Sequence, residues 1–234
     1  MEKYKVIGKS TDADWLEKRR LGVTATDTAK IMGMSDYGTP FDVYLDKLGV
    51  LPEIEDNENM YWGRRLEAAI IDELPLRRPA VRSTVPSGEL IASIEYPFML
   101  ATLDGVGFIG TDSERCVVEA KASGSSQLWA DGPPDMYVLQ LQKQLAVTGF
   151  DTGFICLLLK GNDYRVFDFK RDEELIRMII KAESDFWHNH VVPKVPPALS
   201  PLDANAAKYL YPKAIDDTVI LPGELGEICR VSAK

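Results

Sequence analysis

Two carboxylates and a lysine have the spacing in this chain that points most directly to chemistry. Asp104 is followed, after fourteen residues, by Glu119, Ala120 and Lys121. The segment has two stretches rich in Val, Ile, Leu and Phe separated by turn residues, which predicts a hairpin in which Asp104 ends or interrupts the first strand. Two carboxylates, a backbone carbonyl and a phosphate oxygen suffice to bind a hard divalent cation such as magnesium. The pattern therefore predicts metal-dependent hydrolysis of a phosphodiester.

Side-chain alternation along the second strand determines which of these groups can act together. Glu119 and Lys121 would project from one face, whereas Ala120 would point to the other and leave its carbonyl available. The same letters also describe an exposed strand with a glutamate and a lysine on its solvent face, in a chain that is 27% charged. Val117 and Val118 favour a strand buried on both faces, where a carboxylate and a lysine need partners.

Three further motifs stand on either side of this pattern. Residues 15–26 read WLEKRRLGVTAT, residues 62–67 read WGRRLE, and residues 140–148 read QLQKQLAVT. With the carboxylates and the lysine, and in this order, they resemble the lambda-exonuclease type of phage recombination nuclease. That type is a YqaJ-like viral recombinase family of the restriction-endonuclease-like superfamily. Thr26 stands where the family usually has serine, and it keeps the hydroxyl group.

The resemblance implies metal-binding and catalytic roles for five residues. Asp104 and Glu119 would bind the metal with the Ala120 backbone carbonyl beside them, and Lys121 would be the catalytic lysine. Glu67 would add a further carboxylate, although its helical pattern alone is typical of a solvated surface residue. The implied cofactor is Mg²⁺, with Mn²⁺ as a substitute.

The resemblance also implies a site for the end of a DNA strand. Arg19 would hold the terminal 5′ phosphate, assisted by the hydroxyl groups of Thr26 and Thr102. Gln142 would lie at the edge of the catalytic site. The residues alone leave other interpretations open, because residues 17–20 form a charge run typical of a solvated face and glutamine is simply a good helix former.

The function that the resemblance implies is an exonuclease that degrades the 5′-ended strand of linear double-stranded DNA. The 3′ single-stranded tails would serve homologous recombination by single-strand annealing. A ring-shaped homotrimer and a single-strand annealing protein as partner are implied as well. The residues alone imply only phosphodiester hydrolysis. Two alternatives stay open, namely a sequence-specific endonuclease of the same fold and a non-catalytic adaptor that binds DNA ends.

Composition excludes some classes of protein and leaves a nuclease open. The chain has 234 residues, 45% of them apolar, and a net charge of −9. Such a charge argues against a protein that coats nucleic acid through clustered lysine and arginine, although a carboxylate metal site is compatible with an acidic exterior. No signal segment or membrane-length apolar run is seen, so we expect a cytoplasmic phage or prophage protein of a bacterial host, with no membrane partner.

The succession of periodic patterns predicts a mixed α/β fold, a restriction-endonuclease-like core in which a central mixed sheet is flanked by helices. Helices are expected at 12–20, 25–33, 40–48, 57–74, 134–149 and 172–190. Strands are expected at 82–86, 89–95, 98–103, 105–110, 115–121, 152–159 and 163–169. The predicted organisation is a nuclease domain over 1–191, with a Pro-rich C-terminal strap over 192–234 packed on it.

Overall fold

A six-stranded mixed sheet forms the centre of the computed structural model, which describes residues 2–52, 55–110, 114–204 and 206–210. The strands are β1 (Tyr4–Lys9), β2 (Val81–Ser93), β3 (Leu100–Ile109), β4 (Arg115–Ser123), β5 (Thr152–Leu159) and β6 (Asp163–Lys170). They lie side by side in chain order. Strands β4 and β5 are parallel, and the other neighbouring pairs are antiparallel.

Helices cover both faces of the sheet. They are α1 (Trp15–Arg20), α2 (Ala25–Ile31), α3 (Pro40–Lys47), α4 (Glu58–Arg77), α5 (Asp135–Thr148), α6 (Glu173–Phe186) and α7 (Ala207–Leu210). On one face, α4 packs its buried Ile70, Ile71 and Leu74 against β2, β4 and β5. On the other face, α2, α5 and α6 enclose a larger core that includes Leu141 and Ile155. This arrangement confirms the predicted fold class.

Helix α5 matters most for the site because it lies in the connection between the parallel strands β4 and β5. Parallel neighbours need a crossover that passes over the sheet, and here the helix packs on the face opposite α4. Gly149, with φ of 72°, ends the helix in the left-handed conformation that favours glycine. Because α5 contacts β4, polar side chains of α5 can reach carboxylates of that strand.

Strand β3 differs from the sequence-based prediction. The predicted hairpin, with Asp104 in its first strand and Glu119 and Lys121 in its second, is confirmed, because β3 and β4 are consecutive antiparallel strands. The predicted break at Asp104, with separate strands at 98–103 and 105–110, is wrong, because β3 runs unbroken from Leu100 to Ile109. The glycines that resembled turn residues are strand residues in close packing. A Cβ on Gly107 would lie 2.6 Å from Cys116 Sγ, so glycine permits close approach here and does not mark a turn.

Two other strands also depart from the prediction. The edge strand β1 was not predicted, and it pairs with β2. The two strands predicted at 82–86 and 89–95 are one strand, β2, whose register shifts between Pro86 and Glu89. Gly88 lies in that irregularity with φ of 65°, a conformation that other residues adopt only at a cost.

The described part of the predicted C-terminal strap, up to Leu210, contacts the rest of the chain. Asp203 accepts a hydrogen bond of 2.5 Å from the hydroxyl of Thr39, the residue that caps α3. Leu210 packs against the hydrophobic cluster that contains Phe41. Residues 211–234 of the predicted strap lie outside the described residues. No helix in the described ranges is long and apolar enough to cross a membrane.

Candidate active site

Asp104 and Glu119 lie together where β3 and β4 part. The ladder between the two strands stops at the residue after Asp104. Just beyond it, the Ala120 N–H donates a hydrogen bond of 2.9 Å to the Asp104 carboxylate. This bond ties Asp104 to the backbone between Glu119 and Lys121, so the three predicted groups share one site.

Glu119 is fully buried, and its oxygen atoms contact α5. Oε1 accepts hydrogen bonds from Lys121 Nζ at 2.5 Å and from Gln140 Nε2 at 2.5 Å, and Oε2 accepts one from Gln144 Nε2 at 2.6 Å. Lys121 Nζ also lies 4.8 Å from the centre of the Tyr137 ring, a favourable position for a cation. The strand is therefore the buried one of the two alternatives, and its charged groups have the partners that burial requires.

Burial and the charge of Glu119 raise the pKa of two neighbouring carboxyl groups. Burial, and then the charge of Glu119, raises the pKa of Asp104 well above its usual range, against the opposing effect of Lys121. Burial, and then Glu119, also raises the pKa of Glu67. Burial alone would lower the pKa of Lys121, but Glu119 and Asp104 outweigh it and raise that pKa, so the lysine is protonated at neutral pH. Three carboxylates thus act on one ammonium group.

A cavity of about 460 Å³ joins these groups to the predicted phosphate-binding residues. Arg19 Nη2 donates to Thr26 Oγ1 at 3.2 Å and lies 3.4 Å from Thr24 Oγ1. Thr102 lines the same cavity, and its buried hydroxyl oxygen has no hydrogen-bond partner among the described residues. The structure therefore brings Arg19, Thr26 and Thr102 to the cavity that also holds the predicted catalytic groups.

Gln142 is not at the edge of this site, and that prediction is wrong. Its Nε2 donates to the Lys170 backbone oxygen at 2.8 Å, and its Oε1 accepts from the Asp172 N–H at 3.0 Å. The glutamines that contact Glu119 are Gln140 and Gln144, which the prediction missed. Their spacing of four residues was the available signal, because residues at i and i+4 share one face of a helix and the residue between them does not.

The part of the chain that holds these residues matches a known protein family. Residues 14–151 of the 234 match the YqaJ-like viral recombinase domain. The chain belongs to this family. The protein YqaJ of Bacillus subtilis (strain 168) is 32% identical over 218 residues, which cover 89% of this chain and 66% of that protein's length. The predicted site residues all fall inside the matched region.

Solved structures share the fold of this YqaJ-like chain. The alkaline exonuclease LHK-Exo from Laribacter hongkongensis has a TM-score of 0.61 at 21% identity, over 84% of this chain and 99% of that one. LHK-Exo is also known in complex with dAMP. A phage related exonuclease from Haemophilus somnus 129PT has a TM-score of 0.54 at 15% identity, over 76% and 99% of the two chains. Family membership therefore identifies a viral recombinase domain, and the solved structures show that its fold is shared with these exonucleases.

The donors of the YqaJ-like site fit a hard divalent cation by their chemistry. Asp104, Glu119 and Glu67 offer carboxylate oxygens. Burial and then the charge of Glu119 raise the pKa of Asp104, and a cation would offset both. In the ranges that the structure describes, no three or more His, Cys, Asp or Glu side chains are already gathered as a metal cluster. Both oxygens of Glu119 are engaged by side chains of β4 and α5. The agreement of this site with a divalent cation therefore rests on two observations: the donors are carboxylate oxygens, and they line one cavity.

Proposed function

We propose that the chain is a metal-dependent exonuclease that degrades the 5′-ended strand of linear double-stranded DNA. The 3′ single-stranded tails that remain would be used in recombination by single-strand annealing. The observation that carries the proposal is the single cavity shared by Asp104, Glu119, Lys121 and Arg19. Carboxylates with a lysine suit hydrolysis at phosphorus, and a guanidinium suits recognition of a phosphate.

Each group has a part in the proposed hydrolysis. Asp104 and Glu119, with the Ala120 carbonyl and Glu67, would hold Mg²⁺, or Mn²⁺ in its place. A bound cation supplies a water of lowered pKa and offsets the charge that develops on the phosphate. Lys121 is held by Glu119 and is protonated, so it would act as a donor that orients the attacking water or stabilises the transition state.

Arg19 would set the polarity of degradation. Its planar fork of donors suits bidentate pairing with a phosphate. The hydroxyl groups of Thr26 and Thr102 would add hydrogen bonds, and the Thr102 oxygen has no partner among the described residues. A terminal phosphate at Arg19 with the scissile bond at Asp104 and Glu119 makes hydrolysis begin at a 5′ end.

Assembly and partner belong to the same proposal. The resemblance to the lambda-exonuclease type implies a closed ring of three subunits and a single-strand annealing protein that receives the 3′ tail. A ring would keep a small acidic subunit on DNA through many cleavages, where a single contact would be released readily by salt. Light scattering measures the mass of the oligomer, and a monomeric mass would contradict the ring.

Linear and covalently closed duplexes of one sequence separate the candidate functions. With Mg²⁺ we expect degradation of the 5′-phosphorylated linear duplex and no loss of the closed circle. A 5′-hydroxyl linear duplex should be degraded more slowly by about tenfold or more, because its end is misplaced in the cavity. Cleavage of closed circles at discrete positions would indicate the endonuclease. Retention of DNA ends without hydrolysis would indicate the adaptor.

Variants assign the activity to the site. Glu119→Ala and Asp104→Ala should lower turnover on the order of a hundredfold or more without unfolding the protein. Lys121→Ala should lower turnover more than it lowers metal affinity. Glu174→Ala removes an exposed carboxylate of α6 and is the control, for which we expect normal turnover. Near-normal turnover of Glu119→Ala would refute the assignment.

A further inference from the structure

An ion pair that is almost completely removed from water lies beneath the predicted phosphate-binding residues. Lys47 Nζ of α3 contacts Asp27 Oδ2 of α2 at 2.7 Å, and the two side chains are 1% and 8% exposed. Removing two charges from water is costly, and well-packed apolar side chains of similar volume often stabilise a core as well or better. The position of this pair beside Arg19 therefore requires a reason other than stability.

The carboxylate of this pair orients the side chains that line the cavity. Asp27 Oδ2 accepts the Thr24 N–H at 2.9 Å and the Thr24 hydroxyl at 2.7 Å. A hydroxyl group has one proton, so Thr24 Oγ1 keeps only lone pairs for its other neighbours. Those neighbours are Arg19 Nη2 at 3.4 Å and Thr26 Oγ1 at 3.1 Å. Both must donate to Thr24, and Asp27 thereby fixes the direction of both contacts.

The ammonium of the pair holds Arg19 at a second point. Lys47 Nζ donates to the Arg19 backbone oxygen at 3.2 Å. Burial alone would raise the pKa of Asp27, but Lys47 and then Arg19 hold that pKa well below its usual range, so the carboxylate is ionised at neutral pH. The charge of Lys47 offsets the carboxylate, which would otherwise repel an incoming phosphate.

We propose that Asp27 and Lys47 are positioning residues for a terminal 5′ phosphate and determine the preference for phosphorylated ends. Lys47 places the backbone of Arg19, and Asp27 places its guanidinium through Thr24. Neither residue touches the DNA. The inference rests on the proposed function, since it presumes that a terminal phosphate occupies the cavity beside Arg19.

The test compares the rates at which 5′-phosphoryl and 5′-hydroxyl linear duplexes are degraded. In Asp27→Asn/Lys47→Met both charges are removed together, so no lone charge is left buried. We expect the ratio of the two rates to fall by about tenfold or more, toward one, because a displaced Arg19 no longer meets the phosphate in the correct geometry. The KM of the phosphorylated duplex should rise more than that of the hydroxyl duplex, a difference that general loss of folded protein would not produce.

A second buried ion pair provides the matched control. Lys143 of α5 contacts Glu183 of α6, and both side chains are fully buried. Glu183 also accepts a hydrogen bond of 2.7 Å from Thr28 of α2, so this pair also supports α2, and its hydrogen bonds are to neither Arg19 nor Thr24. Lys143→Met/Glu183→Gln should leave the rate ratio unchanged. An equal fall of the ratio in this control would overturn the proposal and make both pairs structural.

Thr24 variants keep the proposal open to refutation even where the double variant does not fold. Thr24→Val removes the hydroxyl that connects Asp27 to Arg19, and Thr24→Ser retains it. We expect the valine variant to lose the preference for phosphorylated ends and the serine variant to keep it. Equal preference in the two variants would overturn the proposal.

The wild-type protein distinguishes a failure of this inference from a failure of the proposed function. Degradation of both duplexes at one rate would refute the phosphate site at Arg19, and the positioning role with it. A wild-type preference that the Asp27→Asn/Lys47→Met variant retains would overturn the positioning role alone. Loss of the preference in that variant and its survival in the control would support the proposal.

Discussion

The replacement of Gln144 by methionine tests whether the glutamines of α5 serve the site or the fold. Methionine has a similar length and does not donate a hydrogen bond from its end. The change removes the Nε2 contacts to Glu119 Oε2 at 2.6 Å and to the Thr102 backbone oxygen at 3.0 Å. Gln142→Met is the matched variant on the same helix, because it also removes two hydrogen bonds but contacts only Lys170 and Asp172.

The two variants should lose similar stability. A hydrogen bond to a charged group contributes about 1.5–3 kcal/mol and one to a neutral group about 0.5–1.5 kcal/mol, so Gln144→Met removes about 2–4.5 kcal/mol. The buried Gln144 Oε1 has no partner among the described residues, and its removal returns about 1–3 kcal/mol. The net loss is therefore about 1–1.5 kcal/mol. Gln142→Met removes two hydrogen bonds to neutral backbone groups, which together contribute about 1–3 kcal/mol, so the two losses are similar.

Turnover should separate the two variants. A residue that orients a metal-binding carboxylate commonly contributes about 10-fold to 100-fold in activity or metal affinity, so we expect that loss for Gln144→Met and less than about threefold for Gln142→Met. Urea unfolding gives the stability of each variant, and initial rates on a phosphorylated linear duplex with Mg²⁺ give turnover. Equal rates in the two variants, or a larger loss in Gln142→Met, would refute the assignment of Gln144 to the site.

Three further predictions concern pH and backbone. The pKa of Asp27 is lowered in the folded protein, so the ionised carboxylate stabilises the fold at pH values above the ordinary pKa of aspartate, and this stabilisation is lost as the pH falls below about 4. The urea midpoint should therefore fall less on acidification in Asp27→Asn than in the wild type. The pKa of Asp104 is raised in the folded protein, so the protonated carboxyl group stabilises the fold below about pH 4. This stabilisation is lost as the pH rises through the pKa that Asp104 has in the folded protein. Thermal unfolding in EDTA at pH 8 should therefore show Asp104→Asn to be more stable than the wild type, and an unchanged midpoint would contradict this. Gly63→Ala should raise the unfolding free energy by about 0.5–1 kcal/mol, because a Cβ there meets no atom of the described residues within 4 Å outside the adjacent helix backbone. It should also slow DNA hydrolysis, because Gly63 lines the cavity, and a stabilised variant with full activity would contradict this second part.

Local periodicity made part of the site predictable. Side chains two apart on a strand share a face, and Glu119 and Lys121 do so in the structure, with Asp104 beside them. The glycines near Asp104 led to the wrong prediction of a break there, since glycine occurs both in turns and in tightly packed strands. The β3 strand needs Gly107 because of Cys116, which lies on the neighbouring strand and cannot be recognised as its partner from local sequence.

Buried charge was the other feature that sequence could not reveal. Lys47 and Lys143 are charged residues of helices, and charged residues in a helical pattern are usually exposed to solvent. Their burial depends on helices that pack from distant parts of the chain, with Asp27 opposite Lys47 and Glu183 opposite Lys143. The role inferred for Asp27 accordingly needed three-dimensional contacts, whereas the motif around Arg19 was visible in the letters.

The net charge of −9 is compatible with binding of a DNA end, because a bound phosphate interacts mainly with the charged groups close to it. Electrostatic interactions between exposed groups are screened over about 10 Å at 0.1 M salt, so a phosphate in the cavity responds mainly to groups within that distance. Buried lysines that are neutralised by their own carboxylates add little attraction at longer range, and the acidic exterior does not attract a duplex. Arg19, Arg64 and Lys121 line the cavity as local cations for a strand that has entered it. Lys121 is paired with Glu119 and Arg64 with Asp56, so Arg19 is the cation whose side chain contacts hydroxyl groups there. Under the proposed function, local cations of this kind would favour a single end phosphate over the side of a duplex, which is the selectivity that stepwise degradation from a terminus requires.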